Sequence, residues 1–382
     1  MLGSPHRKDY QKNDWYALIL SKGQNNVKIT GKGVIDGQGQ ALAQDVEKLW
    51  KAGILKNVKP HNRPDENHRP QIIEMTDCHS ILIENVTIKN AACWVQTYHN
   101  CVDLTMNKIR VESTAYWNND GIDIVDCKNV LIKNSFINSA DDGICLKSHD
   151  IKSRCENIKI ARCTIRSSAS AFKIGTASYG GFKRIRVKNL YIYDTYRSAI
   201  ALECVDGGVL EDVKIKNVIA KNTGNALFIR LGNRRGNKGT IKNIFIKNIK
   251  ADIPKEKPDK GYPIEGPLPD SLSNLLPSSI VGLPDNPIQQ VYLKNINITF
   301  FGGAKPLENA LNPLKVPELP KEYPEFSMFG ELPAWGFYLR HTEGVHFKGI
   351  KLHLKEADYR EAIYQEDALK TSLKKVKKYF LF

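Results

Sequence analysis

A short motif recurs nine times along the chain and constrains the fold more than any other feature. The unit is loosely apolar-x-apolar-x-Asn-apolar, and its copies begin at Ile81, Leu104, Val130, Ile158, Ile185, Val213, Ile244, Val291 and Val345. The copies follow one another at roughly 20–45 residues, the repeat length of solenoid proteins, and only the last two intervals are longer. Strict apolar alternation predicts a strand with one buried face. Units of this length, with short strands and Asn or Gly turns, predict an all-β fold made of the stacked coils of a parallel β-solenoid.

A second type of strand alternates with the first. Its copies start at Gly121, Gly143, Ala171, Ala199, Ala226 and Gly336. We expect one set of its side chains to fill the core, namely Ile122, Ile144, Phe172, Ile200, Leu227 and Phe337. The opposite set should form two exposed columns, one of Asp123, Cys145, Lys173, Ala201, Phe228 and Tyr338, and one of Val125, Lys147, Gly175, Glu203, Arg230 and Arg340. These columns would give one sheet a surface rich in charge and aromatic rings.

Two segments interrupt the repeat, at about 251–287 and 301–333, and together they hold 14 of the 18 prolines. Long proline-rich insertions in a regular solenoid are more often functional walls than linkers. The repeat resumes after each insertion, so we predict a single domain over 1–382. No internal boundary is indicated.

The turns and cysteines of the repeat also predict internal ladders. Asn tolerates left-handed backbone, so the recurring Asn suits a corner at which it can pair with the Asn of the next coil. Four cysteines occupy equivalent places shortly before the first apolar residue of their units: Cys78, Cys101, Cys127 and Cys155. We expect them to stack inside the solenoid as reduced thiols rather than as disulfides. There is no CxxC pair and no Cys/His cluster at zinc spacing, so neither a metal site nor another cofactor is expected.

The chain is basic, with 56 Lys and Arg against 41 Asp and Glu, a formal charge of +15. Much of this charge falls at one outward position of the repeat, so it indicates an acidic partner only weakly. The lysines are spread along the solenoid without a recognised motif, which argues against a nucleic-acid partner. No apolar run is long enough to span a bilayer. The N-terminal residues do not resemble a secretion signal, as expected of a mature secreted or periplasmic protein.

Two near-copies of one phrase carry the chemistry. They are NNDGIDI from Asn118 and ADDGICL from Ala140. In register on adjacent coils, Asp120 lies beside Asp142, and Asp141 lies on the same edge, with strands roughly 4.8 Å apart. Carboxylates this close raise one another's pKa, so one can hold a proton near neutral pH. An acid beside ionised carboxylates is what glycosidic cleavage requires, and a separation of about 6.5–9.5 Å leaves room for an inverting water.

The sequence resembles glycoside hydrolase family 28, the polygalacturonases and rhamnogalacturonases. NNDGID is similar to the family's N-x-D motif and ADDGICLKS to its D-D motif, while GKGVIDGQG from Gly31 and KIGTASYGGFKRI from Lys173 are similar to bacterial members. The resemblance implies a single-stranded, right-handed parallel β-helix. It further implies that Asp141 is the general acid of an inverting hydrolysis and that Asp120 and Asp142 activate the water. Lys147 would bind a substrate carboxylate or tune Asp142.

The chain departs from the family where galacturonate is usually recognised. The family's G-H-G motif is replaced by Ala169-Ser170-Ala171, and its R-I-K motif by Ile200-Ala201-Leu202. Rhamnogalacturonan-cleaving relatives also lack that histidine, so the resemblance favours a rhamnogalacturonan-like substrate. For substrate recognition we select Lys147, Lys173, Glu203, Arg230, Arg234, Trp117 and Tyr179. Trp94 and His149 are near enough in sequence to contribute.

The leading hypothesis is therefore an inverting hydrolase of an acidic, pectic polysaccharide or oligosaccharide. The insertions would close one end of the groove and favour exo action. A uronate lyase or epimerase on the same fold is one alternative, because such enzymes also use basic residues beside a carboxylate. A non-catalytic β-helix that only binds glycans is the other.

Overall fold

The computed structural model describes residues 1–10, 17–57, 63–114, 116–258, 262, 275–305 and 315–382. Parts of both proline-rich segments therefore lie outside the described residues. In the described part of the chain, no helix has the length and apolar character needed to cross a bilayer. The pairings between the named strands are parallel, for example Ile122–Val125 with Ile144–Ser148. The fold is thus the predicted parallel β-helix.

The N-terminal strands are short and match one side of a coil each. They are β1 Ala17–Lys22, β2 Lys28–Thr30, β3 Val34–Asp36, β4 Gln71–Thr76, β5 His79–Glu84, β6 Thr87–Lys89, β7 Gln96–His99, β8 Val102–Asn107, β9 Arg110–Ser113, β10 Ile122–Val125, β11 Lys128–Lys133, β12 Phe136–Ser139 and β13 Ile144–Ser148.

Later strands run around corners and are longer. They are β14 Cys155–Ser167, β15 Phe172–Ser178, β16 Gly181–Cys204, β17 Val209–Leu231, β18 Thr240–Asp252, β19 Ser278–Val281, β20 Ile288–Gly302, β21 Ala334–Glu356, β22 Glu361–Leu369 and β23 Ser372–Phe380. Two 3-10 turns, Arg7–Asp9 and Glu66–His68, and one helix, α1 Gly39–Lys51, complete the described elements.

Each coil contributes to three parallel sheets. The first sheet contains β7, β10, β13 and β15, and the second contains β5, β8, β11 and the start of β14. The third contains β6, β9, β12 and the end of β14. Isoleucine, leucine and valine from all three sheets meet in one continuous core, as the apolar alternation predicts.

The corner ladders were correctly predicted. Asn134, Asn189 and Asn217 all have positive φ, between 54° and 57°. The Asn217 amide donates to Asn189 at 2.9 Å and the Asn134 amide donates to Asn107 at 2.8 Å. All eight cysteines are buried free thiols, and the four of the expected stack, Cys78, Cys101, Cys127 and Cys155, lie in the core of the coils. The backbone N–H of Cys101 donates to the sulfur of Cys127 at 3.3 Å.

Helix α1 was not predicted from the sequence. Its buried face, Leu42, Ala43 and Val46, packs with Tyr10 and Tyr116 against the side of the N-terminal coils. No copy of the repeat covers this stretch. The strand periodicity therefore gave no signal for it.

The predicted insertion at 251–287 contains a regular strand. β19 (Ser278–Val281) pairs with β17 on one side and with β21 on the other, so it completes the first sheet. Likewise, β18 ends at Asp252 and β20 ends at Gly302, inside the ranges assigned to the insertions. The irregular chain is accordingly shorter than predicted. A strand this short does not stand out within a proline-rich segment.

The two columns of the first sheet are not exposed, which corrects the sequence prediction. All members of both columns are buried. They are Asp123, Cys145, Lys173, Ala201, Phe228 and Tyr338 in one column, and Val125, Lys147, Gly175, Glu203, Arg230 and Arg340 in the other. Over the C-terminal coils the cover is the second insertion, because Phe326 and Phe329 pack on Phe228, Val281 and Tyr338. The insertion folds back over the sheet instead of standing beside it as a wall.

Candidate active site

The three aspartates meet at the N-terminal edge of the first sheet. Ile122 pairs with Ile144, and the backbone N–H of Gly121 donates to the carbonyl of Asp142 at 2.8 Å, so Asp120 and Asp142 are neighbours across coils. One oxygen from each of Asp120, Asp141 and Asp142 lies within 4.8 Å of the others. The two DG phrases, stacked one coil apart, therefore place three carboxylates together, as predicted.

The glycines of the two DG pairs make this approach possible. A Cβ on Gly121 would lie 2.6 Å from the carbonyl oxygen of Gly143, and a Cβ on Gly143 would lie 2.6 Å from that of Ala171. Neither glycine has positive φ. These residues are glycine because adjacent coils touch here, and a side chain would separate the aspartates.

Neighbouring polar groups fix the orientation of the cluster. The Asn119 side chain is fully buried; its amide donates to the carbonyls of Ala91 and Cys93 at 3.1 and 2.9 Å and its oxygen accepts from Ser113 at 2.7 Å. The N–H of Ser170 donates to the Asp142 carboxylate at 3.0 Å. The site is therefore assembled from several consecutive coils.

Lys147 lies in the cluster, and its direct contacts are with the preceding coil. Its ammonium donates to Asp120 at 3.0 Å and also to Asp123, and it lies 4.0 Å from the centre of the Trp94 ring. The sequence prediction was that Lys147 tunes Asp142 or binds substrate. The structure pairs it with Asp120 and Asp123, because its side chain reaches toward the preceding coil, and its charge also helps to lower the pKa of Asp142.

Lys173 occupies the corresponding place beside Asp142. Its ammonium lies 3.0 Å from the Asp142 carboxylate and 3.8 Å from Glu203, and it donates to the Tyr323 hydroxyl at 3.1 Å. Tyr323 comes from the second insertion, 150 residues along the chain. The donors of Lys173 are thus engaged by protein groups.

These contacts divide the carboxylates by protonation. Burial raises the pKa of Asp120 to about 8 and the pKa of Asp141 to about 7, and the nearby carboxylates push both in the same direction. Burial alone would also raise the pKa of Asp142, but Lys173, Arg197 and Lys147 outweigh it and the pKa is lowered. Lys147 donates to Asp120 at 3.0 Å and favours its ionised form, whereas no cation among the described residues donates to Asp141. On this contact geometry we assign the shared proton to Asp141, even though its pKa is the lower of the two. Asp141 is also the least buried of the three.

Both lysines are held as cations. Burial alone would lower the pKa of each ammonium, but the carboxylates around Lys147 and Lys173 raise both pKa values well above the ordinary value. Nearby, burial raises the pKa of Glu203 to about 7. The two lysines therefore supply positive charge and cannot accept a proton at neutral pH.

The carboxylate separation is shorter than expected. The nearest oxygens of Asp120 and Asp141 lie within 4.8 Å, whereas a range of about 6.5–9.5 Å is typical of inverting enzymes. The same oxygens are close enough to share a cation, but Asp120 and Asp142 already hold the Lys147 and Lys173 ammonium groups. The cluster is therefore neutralised by its own lysines.

Two of the selected recognition residues are structural in their contacts. Arg230 is buried, and its guanidinium donates to the carbonyls of Gly282, Glu318 and Leu319 at 3.1, 2.8 and 2.9 Å. It anchors the second insertion. Arg234 forms a two-pronged pair with Asp206, both contacts at 2.8 Å.

Of the other residues considered, Glu203 and Trp117 lie near the cluster, whereas Tyr179 and His149 follow the C-terminal ends of β15 and β13, at the opposite edge of the first sheet. Glu203 accepts from the Thr176 hydroxyl at 3.0 Å and lies beside Lys173. Trp117 is half-buried under the Arg63 guanidinium, 5.4 Å from its ring centre. Tyr179 is half-buried in a turn close to Arg234. His149 is exposed one residue after Ser148, on the edge near Asp126.

Sequence reasoning missed the arginines beside the cluster. Arg197 is buried with its guanidinium 3.2 Å from Glu325 of the second insertion, and its Nε has no hydrogen-bond partner among the described residues. Its charge acts on Asp141 and Asp142. Arg69, also buried, donates to the Trp117 carbonyl at 2.6 Å and to Asn118 at 2.7 Å. Only the position of Arg197, just before a recognised strand, hinted at this.

An acid beside two carboxylates, each paired with a lysine, supplies the groups that glycosidic cleavage requires. A family model described as glycosyl hydrolases family 28 matches residues 3–198, a little more than half of the chain. The chain belongs to this family. The matched range contains Asp120, Asp141, Asp142, Lys147 and Lys173.

Individual relatives agree with this assignment. An endo-polygalacturonase of Pectobacterium carotovorum is 27% identical over 216 residues, 56% of this chain and 52% of the relative. Exopolygalacturonase A of Aspergillus niger is 27% identical over 190 residues, 47% of this chain and 38% of the relative. The chain spans about half the length of the first of these curated relatives and less of the second. The family 28 exopolygalacturonase of Yersinia enterocolitica shares the fold, with a TM-score of 0.67, 13% identity, and coverage of 98% of this chain and 67% of that one.

Proposed function

We propose that this protein hydrolyses a glycosidic bond in an acidic, pectic polysaccharide or oligosaccharide. The observation that carries the proposal is that Asp141, the partly exposed member of the cluster, lies beside Asp120 and Asp142, each of which is paired with a lysine. The relatives include polygalacturonases of both endo and exo type, which supports this substrate class. A polymeric substrate of this kind also favours a secreted or periplasmic location.

In the proposed reaction, Asp141 donates its proton to the oxygen that leaves with the departing sugar. Asp142, held ionised by Lys173, accepts a proton from the attacking water, and Asp120 orients that water from the adjacent coil. The C–O bond to the leaving oxygen breaks as the bond to the water oxygen forms. Afterwards Asp141 is ionised and Asp142 is protonated, and one proton exchange with solvent restores the starting state.

We further propose that the displacement inverts the anomeric centre. The short carboxylate separation does not support inversion. The proposal of inversion therefore rests on the presence of two carboxylates, Asp120 and Asp142, beside one acid, Asp141. Two ionised groups on neighbouring coils can hold one water between them. Proton NMR of the first-formed product decides the point, because an inverting enzyme releases the opposite anomer before mutarotation.

Positive charge around the cluster favours a substrate that carries carboxylates. Arg197, whose Nε has no hydrogen-bond partner in the described part of the chain, and Arg63 both lie within range of the charge on Asp141. The second insertion covers the sheet beyond Lys173, so the groove is closed toward the C-terminal coils. We propose that this closure favours removal of short pieces from chain ends. Product lengths over time test it, since early mid-chain products would contradict exo action.

Hydrolysis is separated from the alternatives by one screen. The wild-type protein and Asp141→Asn are incubated with polygalacturonate, rhamnogalacturonan and carrageenan-type oligosaccharides, and reducing ends and absorbance of unsaturated uronides are recorded. Hydrolysis predicts new reducing ends from wild type without unsaturated product, and a large loss in the variant. Unsaturated product would favour a lyase. Lys147 and Lys173 are held protonated and so are not available as the base of a lyase reaction. Binding without any new reducing end would favour a glycan-binding protein.

A further inference from the structure

The second sheet carries a row of lysines that is unconnected with the acid cluster. Register pairing aligns six consecutive coils so that the same outward position is always lysine. The members of this row, which we name the lysine ladder, are Lys188, Lys216, Lys247, Lys294, Lys348 and Lys374. All six are exposed. With strands about 4.8 Å apart, the ladder extends about 24 Å in one line.

The ladder has no compensating negative charge. None of its six ammonium groups forms an ion pair or hydrogen bond with any residue that the structure describes. Elsewhere on the same sheet, lysines do have partners, as in the contact of 2.6 Å between Lys183 and Glu211. Like charges directly opposite one another on neighbouring strands destabilise a sheet. Six lysines in succession therefore repel one another along the whole row, and a bound polyanion would relieve this repulsion.

A furrow runs along the ladder. Its two stretches have volumes of about 630 and 590 Å³, and they share Lys214 and Lys216, so they form one continuous groove. No Asp or Glu among the described residues lines either stretch. The opposite rim carries Lys159, Arg186 and Lys214 and then a row of rings, Phe245, Tyr292 and His346. On this rim, Arg186 and Lys214 share one acidic partner, Asp212.

The shape of the surface selects among polyanions. A single line of charge fits a linear polymer, whereas a membrane surface is a plane. Single-stranded nucleic acids gain affinity by stacking bases on free ring faces. Here the ring faces are occupied by one another, since Phe245 and Tyr292 lie 4.5 Å apart at 5° and Tyr292 and His346 lie 4.8 Å apart. The ring edges therefore form an apolar rim rather than a set of stacking platforms.

We propose that the furrow is a second binding site for a linear polyuronate, separate from the acid cluster. A polyuronate carries one carboxylate on each sugar ring, so its charges recur on the scale of a ring, as the lysines recur on the scale of a strand. In each coil the second sheet follows the first around a corner, so bound polymer leaves the cleft free. The choice of polyuronate rests on the proposed function, and the lysine ladder itself does not.

The test uses the full chain with Asp141→Asn, which keeps the polymer intact. To this parent we add either Lys216→Gln, Lys247→Gln and Lys294→Gln, or a matched control triple, Lys32→Gln, Lys48→Gln and Lys250→Gln, which removes the same charge from exposed lysines elsewhere. Binding to polygalacturonate is measured at low and moderate salt. A single-stranded oligonucleotide and vesicles with anionic lipid are the competing probes. Because the cleft is identical in all three proteins, its contribution cancels.

We expect the ladder triple to weaken polygalacturonate binding about tenfold or more, and the control triple to weaken it less than about twofold. Equal losses in the two triples would overturn the proposal, because the effect would then be one of overall charge. A parent that prefers the oligonucleotide or the vesicles to polygalacturonate would overturn it as well. The assay involves no hydrolysis. Ladder-dependent binding by a protein whose wild type cleaves nothing would support this inference while contradicting the proposed function.

Discussion

The first sheet has two halves that share one sequence pattern but have different surroundings in the structure. In the N-terminal half, the outward columns hold Asp123, Lys147 and Lys173 beside the acid cluster. In the C-terminal half, the same columns hold Phe228 and Arg230, and the second insertion packs on them. The same column of side chains thus lines the acid cluster in one half of the sheet and packs against the second insertion in the other half. Lys173, which contacts both Asp142 and Tyr323, marks the border.

The largest effect that would test this contrast is expected in the N-terminal half. Asp141→Asn removes the proposed proton donor but keeps the shape of the side chain, so we expect kcat to fall about 10²–10⁴-fold with little change in Tm. Asp103→Asn, at an exposed corner, is the control and should leave kcat unchanged. A loss of less than about tenfold in the Asp141 variant would remove Asp141 from the role of general acid.

The covered half should instead respond in stability. Phe329 is buried between Arg230 and the core of the second insertion, with the guanidinium 5.0 Å from its ring centre. We expect Phe329→Ala to lower the free energy of unfolding by about 3–5 kcal/mol. Phe245→Ala, an exposed ring on the second sheet, should cost about 1 kcal/mol or less. Denaturant unfolding measures both, and equal costs would contradict a packed interface over the covered half.

A smaller effect is expected from Glu74, which lies in the N-terminal half of the sheet, in the same column as Thr97 and Asp123. Burial raises its pKa from 4.5 to about 7, so it stays neutral in the folded protein at a pH where it ionises in the unfolded chain. Stability from this group is complete below about pH 4.5 and is lost as the pH rises through about 7.

Glu74→Gln, which is always neutral, should therefore match wild type at about pH 4 and exceed it at about pH 8. The expected gain is on the order of 2–3 kcal/mol in the free energy of unfolding. Glu84→Gln, a half-buried glutamate on the second sheet, serves as the control. A gain of the same size at both pH values would contradict a neutral Glu74 carboxyl.

The smallest effect, a shift in the pH profile of kcat, is expected from Lys173, at the border between the two halves. Lys173→Met removes a cation that lowers the pKa of Asp142, so that pKa rises. Because Asp142 must be ionised to accept a proton, activity is lost as the pH falls through its pKa. The acidic limb of the kcat profile should move to higher pH by about one unit or more. Lys183→Met, which breaks a surface pair with Glu211, should leave the profile in place. An unmoved acidic limb in the Lys173 variant would exclude this tuning.

The sequence was sufficient for the fold and for the three aspartates, because both follow from the repeat. A constant strand spacing fixes which residues are neighbours, and alignment of the two DG phrases is enough to place Asp120 beside Asp142. The repeat could not predict what comes from outside it. Tyr323 and Glu325 reach Lys173 and Arg197 from an aperiodic segment, so these contacts had no signal in the repeat. For the same reason Arg230 was taken for a recognition residue.

The contact between Lys173 and Tyr323 has a consequence for how the protein matures. A chain that has emerged from the ribosome only as far as residue 305 already contains every aspartate of the cluster. It lacks the hydroxyl and the carboxylate that Tyr323 and Glu325 bring to Lys173 and Arg197. Nascent or C-terminally clipped molecules therefore carry an incomplete charge balance around Lys173 and Arg197.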